Sequence, residues 1–249
     1  MKATNSSGHE QNVTNMNSVI SSITTFGTQY NPSVIALTIP ELTKLYQRGL
    51  AANTAVDVAE VATKNARAAR SNKFEGIDPK VTRIANAVRI CGATPQIIDQ
   101  VETIVRELRA KRATDKLTDE EIAAEKAKGN EVKQVTSHQG TYDRKVVNFG
   151  KLAQLLASIP QYKPNEPELS VETIKSDYTE LKTLNDEVVT AIARYEAADI
   201  ARLDVLEADN TGLIDIALAA KQYVKSAFGA TSPQYKQISN IPFKRSKTK

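Results

Sequence analysis

Few side chains in this sequence have types and spacings that could do chemistry. His9 and His138 are its only histidines, too far apart for a two-histidine zinc helix, and neither belongs to the Glu-x-x-His pairs that build a di-iron bundle. Cys91 follows Ile90 at the end of an apolar stretch, where a thiol is a small packing residue rather than a nucleophile. As the single cysteine it forms no intramolecular disulfide. Gly76 and Gly92 are isolated and lack the strand that a Walker loop or a Rossmann fingerprint requires. Asp199, Asp204, Glu207, Asp209 and Asp215 lack the fixed spacing of an EF-hand and read as a solvated helix face. These readings predict no catalytic, cofactor or metal site and a protein that is not an enzyme.

Basic residues offer more. Lys64, Arg67 and Arg70 recur every three positions, and with Arg83 and Arg89 they could present a stripe to phosphates. Aromatic stacking partners and a recognised reading motif do not accompany them. Binding of nucleic acid or a membrane surface through this basic face, a pore-forming-toxin-like role included, is therefore the alternative function. Charges at short intervals along every helical stretch argue against insertion into lipid. The net charge of +4 hides an asymmetry: positions 60–113 hold eleven Lys and Arg against six acids, and positions 165–215 thirteen acids against four bases. Such opposite fields suit complementary faces within one bundle or attraction between subunits placed head to tail.

The elements that must position these side chains read as helices. A 249-residue chain, 41% hydrophobic and 5% aromatic with no Trp, favours helix packing over sheets. Residues 1–29 are dense in Asn, Ser, Thr and Gly and predict a flexible polar arm. A capping Thr38, then Pro40 and Glu41, opens a helix expected to reach about Ser71, with Gly49 inside it at a close helix crossing. A turn at 72–78 predicts a returning helix from Pro79 to Cys91. Gly92 stops it, and Thr94 and Pro95 restart a third helix. Residues 113–161 form a charged connector with a capping box at Thr118–Glu121, followed by a middle helix from about Thr141. Pro160, Pro164 and Pro167 hold an extended link, Ser170 caps a long helix to Leu206, and a further helix from Leu213 to Phe228 stops at Gly229. Ser232 and Pro233 mark the corresponding corner.

Two stretches repeat. Tyr30-Asn31-Pro32 through Ile39 parallels Tyr162-Lys163-Pro164 through Val171, and Tyr46, Asn53, Val56 and Arg70 fall on Tyr178, Asn185, Val188 and Arg202 at one offset. Gly92-Ala93-Thr94 then meets Gly229-Ala230-Thr231. This predicts an all-α, elongated bundle of two duplicated hairpins related by a pseudo-twofold, with extra middle helices. Residues 30–112 and 162–243 would be the repeats, packed as one domain, and 244–249 a basic tail. Thr211 to Ala217 and Lys221 to Gln237, with the two Tyr-x-Pro lead-ins, resemble the carboxy-terminal signature of a family of uncharacterised bacterial all-helical proteins. The resemblance implies a helical fold and supplies no activity.

The expected function is a non-enzymatic helical scaffold that assembles with itself or with another protein. Tyr235, Ile238, Ile241 and Phe243 are the expected outward contact, beside the basic candidates Lys64, Arg67 and Arg70. Residues 1–17 lack the apolar core of a signal peptide, so the cytoplasm is the default expectation, with export by a processed or non-classical signal as the other route.

Overall fold

The computed structural model describes residues 6–110, 120, 124, 127–128 and 140–246. The capping box at Thr118–Glu121 (Glu120 apart), His138 and the last three tail residues lie outside these. Among the described residues the chain is all-helical, with no strand. The helices are α1 (Ser6–Thr24), α2 (Ile39–Glu75), α3 (Ile77–Ile90), α4 (Pro95–Leu108), α5 (Tyr142–Ala157), α6 (Val171–Glu207), α7 (Leu213–Phe228) and α8 (Pro233–Ser239). No described helix is long and apolar enough to cross a membrane.

Local chemistry fixes the helix ends. Thr38 is extended, and its carbonyl accepts from Leu42 N at 2.9 Å to open α2. The Ser170 hydroxyl accepts from Thr173 N at 3.2 Å at the start of α6, and Thr141 caps α5 through Arg144 N. Ser232 caps α8 by accepting from Tyr235 N at 3.1 Å, whereas Thr94 opens α4 with its carbonyl alone. Gly92, at φ +84°, lies just past the end of α3, and Gly229, at φ +91° and ψ 154°, ends α7 in a region that only glycine occupies without strain.

The chain divides into two compact units, one joining residues up to 64 with those from 190 onward, the other running from 65 to 189. These units do not coincide with the expected repeats at 30–112 and 162–243, because each unit takes the beginning of one long helix and the end of the other. In the first unit, α1 and the start of α2 (Leu42, Leu45) share a core with Leu206 and with Leu213, Ala217 and Val224 of α7. In the second, α3, α4 and α5 share a core with Leu169 in the turn before α6 and with Ile174 and Leu181 at its start.

Residues 6–24 are not a flexible arm. Val13, Met16, Val19, Ile20 and Ile23 recur at helical spacing and are buried, so α1 forms one wall of the first core. The returning helix expected after position 78 is also corrected. Gly76 keeps right-handed helical dihedrals (φ −73°, ψ −12°), and α3 continues in the direction of α2. Ion pairs in the second unit record this: Lys73 meets Glu180, Lys80 meets Asp177, and Arg83 meets Glu168, partner numbers falling as the chain advances. The reversal comes at Gly92, so the hairpin is α3 with α4, closed by Arg89 Nε to Glu102 Oε1 at 2.7 Å. Gly49 does mark a close crossing: a Cβ there would lie 2.9 Å from Leu213, 3.1 Å from Val13 and 3.3 Å from Leu206.

Candidate functional site

Each unit holds a polar centre where helices meet. In the first, Arg202 of α6 is 1% exposed and pairs with Asp199 one turn earlier. His9 of α1 places Nδ1 3.7 Å from Glu207 Oε1. That carboxylate also accepts from Ser246 N at 2.9 Å and from Ser246 Oγ at 2.9 Å. Burial, then the Arg202 charge, holds the His9 imidazole below its ordinary pKa against the opposing pull of Glu207 and Asp199. Serine, histidine and glutamate are the residue types of a hydrolase triad, yet the hydroxyl donates to the carboxylate rather than to the imidazole. The contact ties the carboxy-terminal segment to the end of α6. Among the described residues His9 Nδ1, Arg202 Nε and Asn53 Oδ1 are buried without a hydrogen-bond partner.

The second unit has a related centre. Arg70 donates to Asn185 Oδ1 at 2.9 Å and lies 3.9 Å over the Tyr142 ring, while Asn185 Nδ2 donates to Asp143 at 2.7 Å. Phe74 packs edge-on against Tyr142 with centroids 4.9 Å apart. Nearby, Asp177 receives both Lys73 and Lys80. Burial alone would raise its pKa, but the hydrogen bonds and charges of the two lysines outweigh that and lower it.

Most of the basic residues singled out from sequence are engaged within the chain. Lys64 pairs with Glu60 at 2.8 Å, Arg67 is half-buried and has a partner, and Arg70 serves the centre just described. Arg83 and Arg89 reach Glu168 and Glu102. Consecutive spacing was a correct reading of helix geometry, but it could not reveal the partners: Glu60 on α2 itself, Asn185 on α6, Glu168 in the turn before α6 and Glu102 on α4.

The carboxy-terminal segment, expected as an outward contact, packs onto the first core of its own chain. Ile238 is fully buried, and Tyr235, Ile241 and Phe243 pack against the first core. Asn15 Nδ2 donates to the Pro242 carbonyl at 2.6 Å, and Asn12 both donates to the Lys244 carbonyl and accepts from Lys244 N. Lys221 donates to the Ser239 and Ile241 carbonyls, and Arg245 bridges Asp209 and Asp215. Buried Asn12 and Asn15 were the missed functional groups: they supply the peptide-like hydrogen bonds that hold an extended strap. Their position on the same helical face as Val13 and Met16 was the available signal.

Cys91 is half-buried at the rim of the second core, and its thiol donates to the Val88 carbonyl at 3.2 Å. Among the described residues no group of three or more His, Cys, Asp or Glu side chains could hold a metal ion. No protein-family model, curated protein or solved structure matches the chain.

Proposed function

We propose that this protein is a duplicated, non-enzymatic helical scaffold that associates with a second copy of itself through the outer face of α2. The observation that carries the proposal is an uncharged, exposed stripe at Leu50, Ala51, Thr54, Ala55, Val58, Val61 and Ala62. Leu50, Val58 and Val61 are 49%, 65% and 55% exposed, a poor place for apolar side chains on a helix that has a separate buried face. A stripe free of charge suits a twofold contact, in which each residue type meets the same surface on the partner and any charge would meet its like. The basic and acidic halves of the chain do not compete for this role, because Lys73, Lys80 and Arg83 already spend their charge on Asp177, Glu180 and Glu168.

Duplication is supported by matched details. The Tyr30 hydroxyl donates to the Leu37 carbonyl at 2.7 Å, and the Tyr162 hydroxyl to the Leu169 carbonyl at 2.9 Å. Both long helices contain 37 residues and follow a short 3-10 turn. Arg202 with His9 answers Arg70 with Tyr142, and α1 answers α5. Under this reading each structural unit is completed by the other repeat, which ties the two copies into one scaffold.

The stripe runs for about 20 Å along the helix. That offers only part of the ~800 Å² per partner found in stable complexes, so the association should be weak and concentration-dependent. Sedimentation equilibrium over a wide concentration range should give a monomer–dimer isotherm. Monomer at every concentration would refute self-association.

A further inference from the structure

The α3–α4 hairpin of the second unit encloses a cleft of about 280 Å³. On α3 it is lined by Thr82, Asn86 and Arg89, on α4 by Glu102 and Arg106, and just past the end of α4 by Arg109. Within each helix these positions are three, four or seven apart, so they project to one side. The buried Ala85 and Val105 form its apolar floor.

The charge in this cleft is not balanced. Its single carboxylate, Glu102, is taken by Arg89, whose guanidinium is further fixed by Nη1 donating to Asn86 Oδ1 at 2.9 Å. Among the described residues Arg109 reaches the Asp78 carbonyl, at a long 3.4 Å. Arg106, half-buried between them in the register of α4, makes no hydrogen bond or ion pair among the described residues. Three guanidinium groups around a concave wall with one paired acid repel one another, and a doubly charged oxyanion would relieve that repulsion. Guanidinium donors match phosphate oxygens in geometry as well as in charge.

We propose that the cleft binds the phosphate group of a small soluble molecule, with Arg106 and Arg109 as its direct donors and Arg89 held at its edge by Glu102 and Asn86. The volume lies near the lower end for ligand sites, and no aromatic residue lines it, so recognition rests on the phosphate rather than on a stacked base. This inference is independent of the assembly proposed through α2.

The test is calorimetric titration of the full chain with inorganic phosphate and with glycerol phosphate, against sodium chloride at matched ionic strength, alongside thermal melts. Either phosphate compound should bind one to one and raise the melting temperature; the tighter of the two identifies a free anion or an ester as the ligand. Arg106→Ala should weaken binding about tenfold, the loss of one charge-assisted hydrogen bond, and Arg106→Lys should restore part of it. Because Arg106 has no partner among the described residues and its charge is repelled by Arg89 and Arg109, Arg106→Ala without phosphate should melt no lower than the parent, which separates lost binding from lost folding. The proposal is overturned by no heat and no thermal shift at millimolar phosphate, by a sodium chloride response of equal size, or by unchanged binding in Arg106→Ala. A short DNA duplex binding far more tightly through Arg106 would also overturn it, replacing a small ligand with a nucleic-acid surface.

Discussion

Tyr30 and Tyr162 each seal a carbonyl where an extended lead-in meets a long helix, at Leu37 and Leu169. Sequence alone paired the two tyrosines by spacing, but it could not show what their hydroxyls do, since the acceptor is a backbone group seven residues away. Tyr30→Phe and Tyr162→Phe should each cost about 1–2 kcal/mol in urea denaturation, the cost of leaving a buried acceptor unpaired. Similar losses would support their equivalence. Burial, with Tyr223 beside Tyr30, pushes that phenol up to about 12; burial, with Cys91 and Glu166 near Tyr162, does the same there. A raised phenol pKa favours the neutral form in the folded state. This contribution is therefore complete below the unfolded value of 10.0 and is lost as pH rises from there toward 12, and the two Phe variants should show a shallower alkaline decline in stability. His9 works in the other direction. Its folded pKa lies below the unfolded 6.5, so the protein should lose stability as pH falls through 6.5, and His9→Gln should flatten that part of the profile in denaturant titrations.

At the scale of elements, glycine punctuation was legible where a positive φ is required and misleading where it is not. Gly92 and Gly229 end helices, but Gly76 continues one, because Phe74 and Ile77 on either side of it both point into the second core. Helix α1 was hidden by its Asn, Ser and Thr content, although Val19, Ile20 and Ile23 already lay at helical spacing. The polar residues that diluted the pattern include Asn12 and Asn15, buried because they hold the carboxy-terminal strap. Two glycines in helix interiors distinguish tolerance from constraint. At Gly150 a Cβ would lie 2.7 Å from the Tyr178 ring, and Gly150→Ala should destabilise by about 1–3 kcal/mol through overpacking. At Gly49 the nearest neighbour is a flexible leucine end, Leu213, with the Val13 methyl and Leu206 beyond it, and alanine gains about 1 kcal/mol of helix propensity, so Gly49→Ala should be nearly neutral. Paired thermal and urea denaturation of the two variants would check this contrast.

At the scale of the whole molecule, the helical class followed from composition and periodicity, whereas the grouping of helices into units did not. Apolar periodicity states which face of α2 or α6 is buried but not which partner covers it, and each long helix contributes to both units. The charge asymmetry was legible as a number, and its use became visible only where Lys73, Lys80 and Arg83 meet their acids. What those contacts leave uncovered is the uncharged face of α2. Self-association through that face is tested most directly by light scattering after size-exclusion chromatography, comparing the parent with Val58→Glu/Val61→Glu and with Ile200→Glu, a change at an exposed apolar position on α6. The expected result is a concentration-dependent dimer for the parent and for Ile200→Glu, with the double variant monomeric and as helical as the parent by circular dichroism. A double variant that dimerises as the parent does, or a parent that stays monomeric throughout, would contradict it.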